Sequence, residues 1–276
     1  MRHGARKIPT YLILVVLVLA WLLPVWTTFL VSFKSSQDFM SQKFYQLPTK
    51  VSFLENFRTV MKTYSLQKHF LNSLLYAVAG AGVAIAVSSM AGYSIVRLKP
   101  PLFFLLFLVI YSGTLFPFQM YLIPVYKLFN SLGLYNTRIG LILIYAAICT
   151  PFSLFVYRGF YTTIPKDVED AAKIDGAGPV RTYFSIFVPQ SLPPTAVVAL
   201  FQMTWIWNDL LFGMVLSRTQ NIRPIMVALA SMSGYGGGNF PYIMTGVIFT
   251  SLPTILLFVA LQRYFISGMK LSVSAE

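Results

Sequence analysis

The sequence predicts an all-α membrane protein with six transmembrane helices, and three observations carry that reading. Of 276 residues, 57% are hydrophobic and 11% charged, against about 25% charged in an ordinary soluble domain. The mean hydropathy is +0.69. Uncharged apolar runs near the length of about 20 residues that a helix needs to cross the hydrocarbon recur six times. The same composition excludes a soluble globular domain and an open, disordered coil, because neither keeps so much apolar surface in water.

The first run, Ile8 to Phe33, follows Arg2, Arg6 and Lys7 as a secretory signal would. It is too long for a signal core and no small-residue cleavage site closes it, so it reads as a retained helix. The second spans Phe70 to Val96 and stops at Arg97 and Lys99. Pro100 opens the third, which reaches about Tyr126, and its internal Pro117 and Pro124 predict a kink or break near the far end. The fourth is Ile139 to Tyr157, the fifth runs from Pro193 and Pro194 to about Val215, and the sixth from about Pro241 to Gln262. Six spans put both termini on one side. Eleven basic residues on that side against ten on the other leave the orientation open, because the bias of Lys and Arg toward cytoplasmic loops is absent.

The formal charge of +13 comes from basic residues set singly between apolar runs, which fits loops and lipid headgroups and offers no basic stripe for nucleic acid. Cys149, the only cysteine, precludes an intramolecular disulfide, and His3 and His69 lack any metal-ligand spacing. Gly234 and Gly236 to Gly238 cluster between the fifth and sixth runs, but no Lys-Ser or Lys-Thr follows them, so they form no phosphate-cradling loop. The chain therefore cannot hydrolyse ATP by itself. No nucleophile or zinc signature assigns a catalytic residue. Among the six runs the only charged side chain is that of Asp209, which argues against an ion-coupled carrier; that carrier, or a polytopic membrane enzyme, is the alternative reading. Two readings of Asp209 with Trp205 and Asn208 stand side by side: a polar translocation path, or an interfacial cap of aromatic and polar groups.

Half of the acidic residues fall within nine positions, at Asp167, Glu169, Asp170 and Asp175. Pro165 suits a first helical turn, Asp167 complements its dipole, and Glu169 with Lys173 forms an i,i+4 pair, so a short helix from about Pro165 to Asp175 is expected. Gly176 supplies a left-handed residue to end it. A second helix starts at Pro179 and carries Val180, Tyr183, Phe184 and Phe187 at the spacing of one apolar face, with Pro189 ending it. An apolar face at a membrane surface must lie in headgroups or dock on another protein.

The run Asp170-Ala171-Ala172-Lys173-Ile174-Asp175-Gly176-Ala177, followed by Tyr183, Ile186, Pro189 and Pro193, resembles the EAA loop of ABC-importer permeases, whose pattern is E-A-A-x-x-D-G-A, an aromatic, an aliphatic residue and two prolines. Asp170 stands for the usual Glu, Tyr183 for Phe, and Gly178 for a common Ser. Arg158-Gly159-Phe160, Asn72-Ser73-Leu74, Leu132 to Thr137, Trp207-Asn208-Asp209 and Gln262 to Phe265 are similar to carbohydrate-type permeases like the second membrane subunit of the maltose importer. The tail from Ser267 to Glu276 departs from the family's usual ending. The resemblance implies one type I importer-permease domain over residues 1–276, with residues 158–190 as a cytoplasmic coupling loop. It implies that Glu169, Asp170, Ala171, Ala172, Asp175, Gly176, Ala177, Val180, Tyr183, Phe184, Ile186 and Pro189 meet an ATPase. The implied partners are a homologous second permease, two ATPase subunits that bind the ATP and Mg, an extracytoplasmic solute-binding protein and membrane lipid; this chain would hold no cofactor.

Overall fold

In hydrocarbon no water satisfies a backbone N–H or C=O, so an apolar run must close its hydrogen bonds within itself as a helix. The computed structural model describes residues 7–98, 102–233 and 240–273, with side chains for 9–98, 102–233 and 240–262. Among them there are helices and turns and no strand. In chain order the helices are α1 (Lys7–Ser32), α2 (Ser36–Ser41), α3 (Phe53–Thr63) and α4 (Leu66–Tyr93), which runs on as a π-turn over Ser94–Leu98. α5 (Phe103–Ser112) and α6 (Leu122–Ser131) follow, then α7 (Arg138–Thr163) and α8 (Lys166–Ile174). α9 (Pro179–Thr182), a π-turn (Tyr183–Phe187) and α10 (Val188–Gln190) form one short rod, and α11 (Leu192–Asn208), α12 (Leu211–Leu216), α13 (Ile225–Ser231) and α14 (Phe240–Val273) complete the chain.

Four single helices are long and apolar enough to cross a membrane: Pro9–Ser32, Leu66–Leu98, Arg138–Thr163 and Phe240–Gln262. Two further segments are bent pairs, Phe103–Leu115 with Phe118–Ser131 at 101° and Pro179–Gln190 with Leu192–Asn208 at 70°. The expected six spans thus correspond to four straight helices, or six if each bent pair counts as one. The break expected in the third run falls at Phe116 and Pro117, while Pro124 sits in the first turn of α6, where its missing N–H costs no bond. The fourth span does not stop at Tyr157. Arg158 lies with its guanidinium 4.6 Å from the Phe107 ring and 5.7 Å from Phe104, so its charge is accommodated and α7 continues to Thr163. The fifth is shorter than expected, because α11 ends at Asn208 and α12 begins after the turn at Asp209. The glycine cluster at 234–238 and the proline at 100 lie outside the described residues.

The chain divides into two compact units, Met1–Gln67 with Ala228–Leu252, and Lys68–Val227 with Pro253–Glu276. In the first, α1 exposes apolar side chains from Tyr11 to Phe29, Trp21 at 82% among them, as a lipid-facing helix does, and buries Leu30 and Val31 in its last turn. Its last carbonyls need donors. Asn56 supplies them, its Nδ2 donating to the carbonyl oxygens of Ser32 at 2.9 Å and Lys34 at 2.8 Å. Phe33 stacks on Phe53 at 5.1 Å, and the buried Lys34 donates from Nζ to the Lys43 carbonyl at 2.8 Å.

In the second unit, α4 and α7 approach closely through small residues, the usual device where lipid tails offer no hydrophobic drive. Ala77, Ala81 and Ala84 are buried, and Ser88 Oγ donates to the Thr150 carbonyl at 3.1 Å. A Cβ on Gly80 would come within 3.0 Å of Tyr145 Cβ, and one on Gly92 within 3.1 Å of Tyr157 Cβ. At one end, Asn136 (φ +57°) accepts from the N–H groups of Arg218 and Thr219 at 2.8 and 3.0 Å, while His69 Nδ1 meets the Arg223 carbonyl at 3.0 Å. A buried cluster of Tyr93, Tyr157, Tyr161, Tyr183 and Phe187 packs where α4, α7 and the short rod meet.

Candidate functional site

The acidic segment forms the expected helix, turn and second helix. α8 ends at Ile174, and Gly176 takes φ +76°, the left-handed value that costs an L-residue with a Cβ about 1–2 kcal/mol. Gly176 N–H then donates to the Lys173 carbonyl at 3.0 Å and Ala177 N–H to that of Ala172 at 2.9 Å, so two orphan carbonyls at the end of α8 are satisfied. Pro179 opens the second helix at its first turn. Gly176 and Pro179 thus end one helix and open the next within a few residues.

Glu169 pairs with Lys173 at 3.0 Å, the bond expected from their spacing, and this hydrogen bond, with one to Asp170, holds the Lys173 ammonium above the usual lysine range. Glu169 has a second partner, which its spacing to Lys173 does not announce. Its side chain is 14% exposed and faces Arg97, 5% exposed, at 3.7 Å. The Arg97 guanidinium also donates to the carbonyls of Tyr161 at 3.0 Å and Ile164 at 2.6 Å, and lies 5.1 Å from the Phe187 ring. One cation at the end of α4 thus satisfies carbonyls at the C-terminal end of α7 and binds both α8 and the rod beyond Gly176. Glu169 is an internal strut, not part of an outward surface. Asp170 stays exposed and pairs with Lys173 at 3.4 Å, and Asp175 is exposed as well.

The expected single apolar face divides in two. Tyr183 and Phe187 are buried, whereas Val180 and Phe184 are 71% and 59% exposed. The reason is the π-turn at Tyr183–Phe187, which widens the repeat and leaves the inward positions to the aromatic cluster. Tyr183 Oη donates to Ser89 Oγ at 2.9 Å; Ser89 in turn meets Tyr161 Oη at 2.7 Å, and Ser191 Oγ donates to Tyr161 Oη at 2.9 Å. Tyr93 Oη donates to the Pro179 carbonyl at 3.1 Å. Ala172 is buried, Ala177 and Ile186 are half-buried, and Ala171 is exposed. Pro189 does not end the rod. It sits in the first turn of α10, which runs to Gln190 before the break at Ser191. The exposed apolar side chains of the pair include Ile174 at 87% exposure, Val180 and Phe184, with Asp170 and Asp175 near them in sequence.

Trp205, Asn208 and Asp209 come together on the wall of an open cavity of ≈ 690 Å³, opposite Phe118 and Phe258. A second cavity of ≈ 480 Å³ shares Phe118, Phe201 and Trp205 and adds Gln202. The ring of Trp205 lies 5.4 Å from Phe118 and 6.4 Å from Tyr145. Asp209 lines the cavity and is also held within the fold. Its carboxylate accepts from Tyr145 Oη at 2.9 Å and from the N–H groups of Gly213 at 3.0 Å and Phe212 at 3.4 Å, which satisfies donors at the start of α12. Trp205 and Asn208 line the same cavity.

The family described as binding-protein-dependent transport system inner membrane component matches residues 84–271. The chain belongs to this family. It is a multi-pass cell-membrane subunit of an ABC importer, a class of transport subunit that works with an ATPase and a solute-binding protein. Over 270 residues the importer subunit is 30% identical to the osmoprotective compounds uptake permease protein GgtD of Synechocystis, covering 96% of this chain and 91% of that one. It is also 30% identical to the melibiose/raffinose/stachyose import permease protein MelC of Bacillus subtilis, covering 97% and 96%. The crystal structure of a bacterial ABC transporter involved in the import of the acidic polysaccharide alginate superposes on 96% of the permease with a TM-score of 0.83 at 20% identity, and so shares its fold.

Proposed function

We propose that this permease translocates a sugar, an oligosaccharide or a related polyol across the cytoplasmic membrane by alternating access, driven by ATP hydrolysis in partner subunits. In this reading the chain is one transmembrane domain. It pairs with a homologous second permease, rests on two ATPases that hold the ATP and Mg, and receives solute from an extracytoplasmic binding protein. Both termini and residues 158–190 are cytoplasmic, and residues 34–69 are external.

The observation that carries the reading is the two-sided helix pair around Gly176. Its inner side is fastened to the spans by Arg97, Tyr93 and Tyr183, while its outer side leaves Ile174, Val180 and Phe184 bare. Three apolar side chains are too few to hold a helix strongly on lipid when two spans already tether it. In a protein pocket, each buried side chain of this kind contributes about 1.5–3 kcal/mol. A partner that closes on ATP would push this pair, and the fastenings would pass the displacement to α4, α7 and α11. The substrate class follows the relatives named for oligosaccharides and osmoprotective compounds. It also suits the cavity, where the aromatic faces of Trp205 and Phe118 offer stacking to a sugar's C–H faces and Asn208 offers a polar contact.

The test is uptake into proteoliposomes that contain the permease, its homologous partner, the ATPases and the binding protein, assayed with radiolabelled oligosaccharides and polyols. ATP inside, or at the ATPase face, is expected to drive accumulation of at least one of them. Accumulation driven by a proton or sodium gradient without ATP would establish the rival carrier instead.

A further inference from the structure

We propose that the cavity where the end of α4, α5, α7 and the start of α8 meet binds a phosphate group, carried by an anionic lipid. The cavity measures ≈ 670 Å³, and its walls include Arg97, Arg158 and Lys166, the hydroxyl-bearing Thr162 and Thr163, and Phe104. No carboxylate lines it among the described residues. The nearest balancing acid, Glu169, is engaged by Arg97 and Lys173. Arg158 and Lys166 form no ion pair among the described residues.

One nitrogen of each guanidinium is short of an acceptor, although Arg97 already donates to the Tyr161 and Ile164 carbonyls. Nε of Arg158 and Nε of Arg97 are both shielded from solvent and lack a hydrogen-bond partner. Arg158 rests on the faces of Phe104 and Phe107, which orient the cation without neutralising it. An arginine held in this way, beside a lysine and two hydroxyls, suits the tetrahedral oxygens of a phosphate. Basic pockets between membrane helices near the headgroup level bind anionic lipid heads in this manner.

The surroundings favour a lipid over free phosphate. α5 exposes Phe104, Leu105 and Leu108, each at least 46% accessible, and Leu98 and Phe155 are exposed nearby in the same helices. An acyl chain can cover such surface while its headgroup occupies the cavity; a soluble anion would leave it bare. The site also touches Ile164, Pro165 and Lys166, the entry to α8, so its occupant would sit against the coupling segment. The inference needs only that the chain spans a membrane, and it stands whichever solute is transported.

The experiment uses the complete detergent-purified importer, mixed with phosphatidylglycerol or phosphatidylcholine and examined by native mass spectrometry. The wild type is expected to retain phosphatidylglycerol in preference to phosphatidylcholine. Lys166→Gln, a change at an exposed position, should weaken retention about fivefold, and Arg158→Gln with Lys166→Gln about thirtyfold. Arg158→Lys with Lys166→Arg, which keeps both charges, should restore retention, and a monodisperse elution profile shows that each variant is folded. Equilibrium dialysis with radiolabelled inorganic phosphate separates the sources. Phosphatidylglycerol retained in phosphate buffer assigns the cavity to lipid; phosphate bound with no phosphatidylglycerol retained assigns it to a soluble phosphate group and overturns the lipid assignment. Equal retention of the two lipids with no phosphate bound, or unchanged retention in Lys166→Gln and in the double variant, overturns the site altogether.

Discussion

Phe187→Ala is expected to destabilise the permease itself, whereas its neighbour change Phe184→Ala should leave the permease intact and loosen the ATPase. Phe187 is fully buried, 4.8 Å from Tyr93, 5.3 Å from Tyr161 and beneath the Arg97 guanidinium. Removing a core phenyl ring costs about 3–5 kcal/mol, through lost contacts and the cavity left behind. Phe184 is 59% exposed and has no such role in the isolated chain. Seated in an ATPase pocket it would contribute about 1.5–3 kcal/mol, so its loss should weaken association tenfold or more. The two variants are compared by thermal unfolding of the detergent-purified permease and by co-purification of the ATPase at matched membrane levels. Equal ATPase recovery for wild type and Phe184→Ala would remove the docking role from this face.

Arg97→Gln carries the second large effect. The variant removes a guanidinium that is 5% exposed and serves Glu169, two α7 carbonyls and the Phe187 ring at once. Breaking a buried ion pair by deleting one partner costs about 3–5 kcal/mol; the lower end is expected, because Glu169 keeps Lys173 at 3.0 Å. The control is Lys173→Gln. Its side chain is 60% exposed, so solvent screens the pair and its loss should cost little. Limited proteolysis of residues 164–191 should therefore accelerate strongly in Arg97→Gln and hardly at all in Lys173→Gln, with ATP-driven uptake falling in the same order. Similar protease sensitivity in the two variants would mean that Arg97 does not hold the coupling segment.

What was legible in the sequence followed from local physics. Membrane hydrocarbon forces long uncharged runs into helices, so the apolar segments could be read from composition, and Pro117 with Pro124 pointed to a kink or break near the far end of the third run, which falls at Phe116 and Pro117. Gly176 and Pro179 were legible for the same reason, since each imposes a backbone angle whatever surrounds it. Features set by distant contacts were not. A 3.6-residue repeat places Val180, Tyr183, Phe184 and Phe187 together, but the π-turn changes that repeat, and nothing in the residues themselves announces it. Arg97 read as the end of a span because its partners Tyr161, Ile164 and Glu169 lie more than sixty residues on. Arg158 read as a helix boundary for want of knowing that two phenyl rings receive its charge. The contacts of Asp209 with Tyr145 Oη and with the N–H groups of α12 were equally hidden, because sequence alone does not bring those donors to it.

The central claim is that the outward side of the Gly176-hinged pair meets a cytoplasmic ATPase. Its most direct test replaces the buried Cys149 by Ser and the exposed Val180 by Cys, then attaches a photo-reactive maleimide to position 180 in membranes containing the whole importer. Illumination is expected to join the permease to the ATPase subunit, and an impermeant maleimide applied to intact cells should fail to reach the same cysteine. No ATPase adduct, together with labelling of position 180 from outside, would contradict the account.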